Sequence, residues 1–427
     1  MTFDEMEVYL LNIPKFGKKH SIDAVGETLV NLGVEQESFQ IIHVAGTNGK
    51  GSVCAFLNSI FLSAGKTVGL FTSPHLIQIR ERFLINGEMA SKEKVIQAFY
   101  HVMERMEREN HPNFFEMMFY IGMYLFTQEK VEYVILETGL GGRLDATNCI
   151  QKPMVTILTR IGKDHEQYLG TTLEAITREK VGIMKEGVPM VCLEVEERPS
   201  ISHIIRQQAL EKNVSLFTIS TREIQNYRIH HKKIDFLLDS SYYRSIRVTI
   251  PSIALYQVEN VALVLKSMEL LATKLGITKE EIVQGIACTK WAGRMEEVMP
   301  NIYVDGAHNV DGIYAFIETI RLKNRNENVL LFAVVDDKDY ERMVQAIAES
   351  TLFEKVLVSD LDTKRGMKSK AIADIFQRYG FQNVVAMESI EEAFKECCKL
   401  QQEDKNIYIV GSLYLVGTIK TILENMS

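Results

Sequence analysis

A chain of 427 residues exceeds one ordinary domain, and two or three are expected. Hydrophobic residues at 46% and charged residues at 24% are ordinary for a globular protein with real cores. A net charge of −8 gives no global field for nucleic acid or an anionic membrane, no apolar run approaches the ~20 residues of a bilayer span, and six scattered cysteines without a CxxC pair exclude the usual zinc and disulfide frameworks.

The first residues, Met1 to Glu7, are acidic and lack the basic-then-apolar layout of a secretion signal, so a cytoplasmic protein is expected. From residue 40 apolar strands alternate with helical patterns, which implies a parallel sheet with crossover helices. Strands are expected at 40–45, 67–72, 131–136, 153–159 and 188–193, and helices at 53–64, 91–109, 114–128, 171–185 and 200–212. Residues 214–251 differ, with short alternating pieces such as Ile234-Asp235-Phe236-Leu237 that suggest small antiparallel hairpins. Two helices follow near 255–275 and 278–288. After Trp291-Ala292-Gly293-Arg294 a second series begins, with strands at 302–304, 329–334, 355–359 and 407–410. The expected fold is α/β: residues 1–293 built on a P-loop-type, mostly parallel sheet, and residues 294–427 forming a smaller Rossmann-like α/β domain.

The richest stretch is Ile41-Ile42-His43-Val44-Ala45-Gly46-Thr47-Asn48-Gly49-Lys50-Gly51-Ser52. An apolar strand runs into a glycine-rich turn, and a helical pattern follows. Glycines let successive backbone N–H groups converge on a polyphosphate, and the helix N-terminus adds partial positive charge. Lys50 reaches toward β/γ-phosphates, and Ser52 toward a phosphate or its Mg²⁺. Gly51 intervenes between lysine and hydroxyl, so the loop is a variant of the usual phosphate-loop pattern. The alternative is a tight strand-to-helix turn with no ligand. Anionic substrates in an acidic protein need local cations, and Lys50, Arg82, Arg143, Arg160 and Arg294 are the candidates.

Polar residues cluster where strands end, which is where open α/β sheets bind ligands. Val68–Phe71 leads to Thr72-Ser73-Pro74-His75. Tyr133–Leu136 leads to Glu137 and on to Gly139-Leu140-Gly141-Gly142-Arg143-Leu144-Asp145. Val155–Thr159 leads to Arg160 and Asp164-His165. Taken singly, such residues are helix caps or satisfied structural groups; beside a phosphate loop they suit a hard cation. Glu137 and Ser73 supply the oxygen donors Mg²⁺ takes, and His165 could serve a second ion. In the helix 171–185, Lys180 shares one stripe with Leu173, Ile176 and Met184. An inward lysine costs desolvation unless it is paired or chemically changed, the alternative being a stem that packs while the ammonium snorkels to water.

Together these residues resemble the Mur-ligase-type superfamily and, within it, folylpolyglutamate synthase, often bifunctional with dihydrofolate synthase. The carriers are His43–Ser52, Thr72–Leu76, Glu137–Asn148, Asp164-His165, Leu169–Thr172, Glu179–Ile183 and Asp305-Gly306-Ala307-His308-Asn309. The resemblance implies an ATP-binding central domain over 1–293 and a glutamate ligase domain over 294–427. It implies Thr47, Asn48, Gly49, Lys50, Gly51 and Ser52 on the triphosphate, Ser73, Glu137 and His165 as metal ligands, and Lys180 as a carbamylated lysine. It places Asn260 at the adenine, Arg294 at a phosphate, Asp305 near the ribose and His308 near the phosphates. Arg82, Leu144, Asp145 and Ala146 fall on the folate and pterin side. Departures from the family pattern are Cys149 after the Thr-Asn pair, Asn113 in place of a small hydroxyl residue, Met118 and Phe119 near a usual threonine, and a missing glycine before Asp337-Lys338-Asp339.

The implied activity is an ATP- and Mg²⁺-dependent ligase that joins L-glutamate to folates through an acyl phosphate, with dihydropteroate as a further acceptor. Lys50, Lys180, His165 and His308 would carry the chemistry. The implied partners are small molecules, with no nucleic acid or membrane, and the expected assembly is a monomer. Two rivals stand beside it. A UDP-sugar-peptide amino acid ligase would carry a domain of ~100 residues ahead of the phosphate loop, and only 45 residues precede Gly46. A P-loop NTPase switch would hydrolyse nucleotide without ligation.

Overall fold

The computed structural model describes residues 1–14, 20–106, 111–194, 198–230, 232–322, 327–403 and 405–426. Its first sheet contains β1 (Gln40–Ala45), β2 (Val68–Phe71), β3 (Phe83–Ile85), β4 (Glu88–Met89), β5 (Tyr133–Glu137), β6 (Val155–Leu158), β7 (Met190–Leu193) and β8 (Leu216–Ile219). Their order in space is β4-β3-β2-β5-β1-β6-β7-β8. From β2 to β8 every pairing is parallel, while β3 pairs antiparallel with both β2 and the edge strand β4. The central strands are buried along their length because helices cover both faces, which is why they appear in the sequence as unbroken apolar runs. β1 lies between β5 and β6, so the segments leaving these strands emerge side by side at one sheet edge.

The helix Lys50–Ser63 is buried on nearly every side. It packs on the sheet below and under the helices Tyr256–Leu275 and Lys279–Cys288 above, so its sequence is apolar all round rather than striped. The opposite face of the sheet is covered by Phe3–Asn12, Ile22–Asn31, Lys92–Glu104 and Phe114–Gln128. A three-stranded antiparallel ribbon follows: β9 (Ile224–His230), β10 (Lys233–Ser240) and β11 (Arg244–Ile250). Its inward residues Ile234, Phe236 and Leu238 alternate along β10 and join the core under the Tyr256–Leu275 helix.

The second sheet contains β12 (Glu296–Met299), β13 (Ile302–Val304), β14 (Asn328–Phe332), β15 (Lys355–Ser359), β16 (Val384–Met387) and β17 (Asn406–Val410), in the order β12-β13-β17-β14-β15-β16. Only β12 runs antiparallel, and apolar cores fill both faces. The chain passes from the first lobe to the second between Cys288 and Glu296. Among the described residues no helix is long and apolar enough to cross a membrane.

Several expected boundaries shift. The helix expected over 171–185 spans Leu173–Lys180 and tightens into a single turn, Val181–Ile183. Gly182 sits where a Cβ would lie 2.5 Å from the Arg143 Cα, so the chain leaves the helix to pass close to that loop. The helix expected at 91–109 spans Lys92–Glu104, and positions 107–109 lie outside the described residues. The first piece of 214–251 is not part of a hairpin: β8 extends the large sheet by pairing with β7, Met190 opposite Leu216. The N-terminal helices, capped by Thr2 and Ser21, had no counterpart in the expected elements.

Candidate active site

The loop after β1 bends through glycines that no other residue could replace without strain. Gly49 caps the helix Lys50–Ser63 at φ +93°, and a Cβ there would lie 2.3 Å from Asn260 Oδ1. Lys50 Nζ folds back to donate to the carbonyls of Gly46 (3.2 Å) and Thr47 (3.3 Å), with Glu137 Oε1 at 4.0 Å. The Ser52 hydroxyl accepts from Gln257 Nε2 (3.2 Å), and Gln257 Oε1 accepts from Asn260 Nδ2 (2.8 Å). Gln257 escaped the sequence reading, yet two buried amides three apart on an apolar helix were a legible signal.

Glu137 ends β5 and is buried; its Oε2 accepts from the Ser73 backbone N–H at 2.9 Å. Burial pushes its carboxyl above the usual range, against the pull of Lys50, the Ser73 amide, Arg294 and Arg82. His165 sits in the left-handed region (φ 52°) at the start of Glu166–Leu169. Burial lowers its imidazole to about 4, so the ring is neutral at pH 7 and has a lone pair to offer. Among the described residues no hydrogen bond or ion pair links His165 to Glu137, and no group of three or more His, Cys, Asp or Glu side chains converges into a metal cage. The donor set fits Mg²⁺ all the same: a carboxylate and a hydroxyl beside a phosphate loop suit an ion that keeps waters and takes phosphate oxygens.

Lys180 is the last residue of its helix and is buried. Its Nζ donates to the Gly46 carbonyl at 2.7 Å, so the ammonium turns inward to the phosphate loop rather than snorkelling to water. Burial, then the charge of Lys50, lowers its pKa to about 7.

The second lobe supplies the opposite wall. Arg294 Nη1 donates to the Gly293 carbonyl (2.8 Å). The two oxygens of buried Asp305 accept from Tyr256 Oη (2.5 Å), Met295 N (2.9 Å) and Ala307 N (2.8 Å), which pins the linker between lobes. His308 Nδ1 donates to the Gly306 carbonyl (2.7 Å) and its Nε2 lies 3.4 Å from Asp164. A cavity of about 800 Å³ runs between the lobes, and every site residue that the family resemblance implied lines it: the loop Thr47 to Ser52, then Ser73, Arg82, Glu137, Leu144, Asp145, Ala146, His165, Lys180, Asn260, Arg294, Asp305 and His308.

On the folate side each residue has its own surroundings. Arg82 is buried, donates to His75 Nδ1 (2.9 Å) and lies 5.2 Å from the Phe114 ring centre. Leu144 is half exposed at the cavity wall and Ala146 is buried. Asp145 closes its own loop: Oδ2 accepts from Gly139 N (2.9 Å) and Leu140 N (2.8 Å), and Oδ1 from the Thr147 amide (3.1 Å) and hydroxyl (2.6 Å). Asn113 caps the helix Phe114–Gln128 by accepting from Glu116 N (3.0 Å), the task a small hydroxyl residue performs, so this departure preserves the local geometry. Met118, Phe119 and Cys149 belong to the core and do not line the cavity. Arg143, one of the five candidate cations, also turns away and pairs with Glu179 at 2.8 Å.

With that geometry in place, the comparisons with known proteins become specific. Residues 44–268 match the Mur ligase middle domain and residues 293–413 the Mur ligase glutamate ligase domain. The dihydrofolate synthase/folylpolyglutamate synthase of Bacillus subtilis is 32% identical over 425 residues, covering 96% of each chain. The chain belongs to the folylpolyglutamate synthase/dihydrofolate synthase family. It is an ATP-dependent ligase. Among solved structures, E. coli FolC in complex with DHPP and ADP superposes with a TM-score of 0.87 at 25% identity, over 100% of this chain and 98% of that one. The Thermotoga maritima folylpolyglutamate synthase gives 0.83 at 27% identity, over 100% and 97%. This ligase has the two-lobed α/β architecture of those relatives, with its cavity at the carboxyl edge of the first sheet.

Proposed function

We propose that this ligase joins L-glutamate to folates, driven by ATP with Mg²⁺. The carrying observation is that residues from both lobes, scattered from Thr47 to His308, wall one cavity with a phosphate loop at its floor. The ADP-bound E. coli neighbour supports nucleotide use.

ATP's γ-phosphoryl passes to the folate carboxylate, forming an acyl phosphate and ADP. The glutamate amine attacks the acyl carbon, the carbon–oxygen bond to phosphate breaks, and the amine proton is lost as the amide forms. Lys50 and Arg294 offset charge on the transferring group from opposite lobes, so the set is complete only when the lobes meet, which also excludes water. Ser73, Glu137 and His165 are the residues suited to hold Mg²⁺, whose charge would offset that of the polyphosphate. Lys180, as a carbamate, would present an anion to the same space. Asn260 and Asp305 border the nucleoside end, and Arg82, Leu144 and Ala146 the folate end.

A second acceptor, dihydropteroate, is favoured by one observation: Asn113 preserves the helix cap beside the cavity despite its departure from the family pattern. We place the reaction in the cytoplasm, with a monomer as the working unit. The test is labelled-glutamate incorporation run separately with tetrahydrofolate and dihydropteroate. The expected result is ADP release that requires both folate and glutamate. ADP release independent of either substrate would favour an NTPase switch and overturn the ligase reading.

A further inference from the structure

One group at the junction of the lobes has no part in the mechanism above. Asp164 follows β6, with a side chain only 8% exposed. Groups of the second lobe converge on it. Lys338 Nζ bonds to Oδ1, Asn309 Nδ2 donates to Oδ2 at 3.3 Å, and His308 Nε2 lies 3.4 Å from Oδ2. Asn309 also exchanges two amide hydrogen bonds with Asn48 of the phosphate loop, at 3.1 and 2.9 Å. A continuous polar path therefore runs from Lys338 through Asp164 and Asn309 to the phosphate loop, with His308 as a side branch.

Lys338 follows β14, is itself largely buried and does not line the cavity. What it touches is Asp164. A buried carboxylate that loses its cation either draws in water or swings out, releasing every group bonded to it.

We propose that Lys338 is a positioning residue of the ligase reaction: by holding Asp164 across the lobe boundary it fixes His308 and, through Asn309, Asn48, so that the phosphate loop reaches its working geometry only when the lobes are locked. This rests on the ligase reading given above. The test compares wild type, Lys338→Met, Asp164→Asn and the double variant by steady-state ligation, and by calorimetric binding of ADP, which needs no folate. Each single change is expected to lower kcat/KM by about 5- to 150-fold, the range of an energetic coupling between sites. The double variant is expected to be no worse than the worse single, because both cut the same path. Lys338→Arg, which keeps the cation, should recover part of the loss. Multiplicative losses, or a Lys338→Met enzyme with unchanged kcat/KM, would overturn the proposal. Should Lys338→Met not fold, Lys338→Arg in wild-type and Asp164→Asn backgrounds gives the same comparison. A wild type inert toward folates whose variants were still non-additive in ADP affinity would sink the substrate assignment and support the latch.

Discussion

Lys180 offers the sharpest test of the site's chemistry. Its Nζ is buried, bonded to one carbonyl and held near pKa 7 by burial and by Lys50. At pH 7 about half of such side chains are neutral amines, against roughly one in three thousand for an ordinary lysine. Only the neutral amine attacks CO₂; a nitrogen–carbon bond forms, one proton leaves, and the cation becomes an anion. Lys180→Ala is expected to lower ligation by about a hundredfold or more, the scale at which lost support for a metal site is felt. The fold should survive, since removing a buried amine relieves desolvation. Short-chain carboxylates should restore part of the activity by occupying the vacated space. Enzyme stripped of CO₂ and returned to a constant dissolved ¹³CO₂ concentration should show a carbamate resonance whose formation rate falls about tenfold for each pH unit below 7 and levels off above it. A fully active Lys180→Ala enzyme, measured without added carboxylate, would refute the reasoning.

Gly49→Ala should fold but bind ADP about tenfold or more weakly in calorimetry, because the left-handed φ costs about 1–2 kcal/mol and the new Cβ meets Asn260 at 2.3 Å; unchanged affinity would show that the loop relaxes freely. Asp145→Ala strips four donors of their acceptor and should lower stability by about 3 kcal/mol, with equal loss of activity toward tetrahydrofolate and dihydropteroate; a loss confined to dihydropteroate would mark Asp145 as a pterin contact instead. His43 is buried against Thr147 and lowered to about 3, so the unfolded chain binds its proton first as pH falls below 6.5. Wild type should therefore lose stability relative to His43→Gln by up to about 1.4 kcal/mol per pH unit from 6.5 toward 4 in urea titrations, and a pH-independent difference would contradict a neutral buried ring.

What the sequence disclosed follows from the kind of interaction involved. Glycines at special φ, unbroken apolar strands and polar residues at strand ends leave local patterns, so the β1 loop and the cavity-lining positions of Ser73, Glu137 and His165 were legible. The inward stripe at Ile176, Lys180 and Met184 was legible too, and all three are buried. The loop-closing hydrogen bonds of Asp145 were not legible because three of the four come from backbone N–H groups, which leave no trace in residue types. Lys338 was seen only as a departure from a motif, since its partner lies 174 residues away. Phe3, Met6 and Leu10 carried a helical spacing that the flanking charges masked. β8 was drawn into the hairpin region because a four-residue edge strand carries too few alternations to reveal its sheet.

The charged groups at the cavity floor are loosely paired. Arg143 pairs with Glu179 at 2.8 Å, and Arg160 with Glu259 at 2.6 Å. At the floor Lys50 and Glu137 stand 4.0 Å apart, and Lys50 leans on loop carbonyls instead. Burial there moves three groups toward their neutral forms, the Glu137 carboxyl up, the Lys180 amine and the His165 ring down. Such groups would stabilise one another better if they paired, and the fold holds them apart. The arrangement makes sense once the missing charges belong to a visitor: a polyphosphate for Lys50 and Arg294, a hard cation for Glu137. A site built for its own stability would have closed these distances, whereas one built for exchange of a charged ligand has to leave them open.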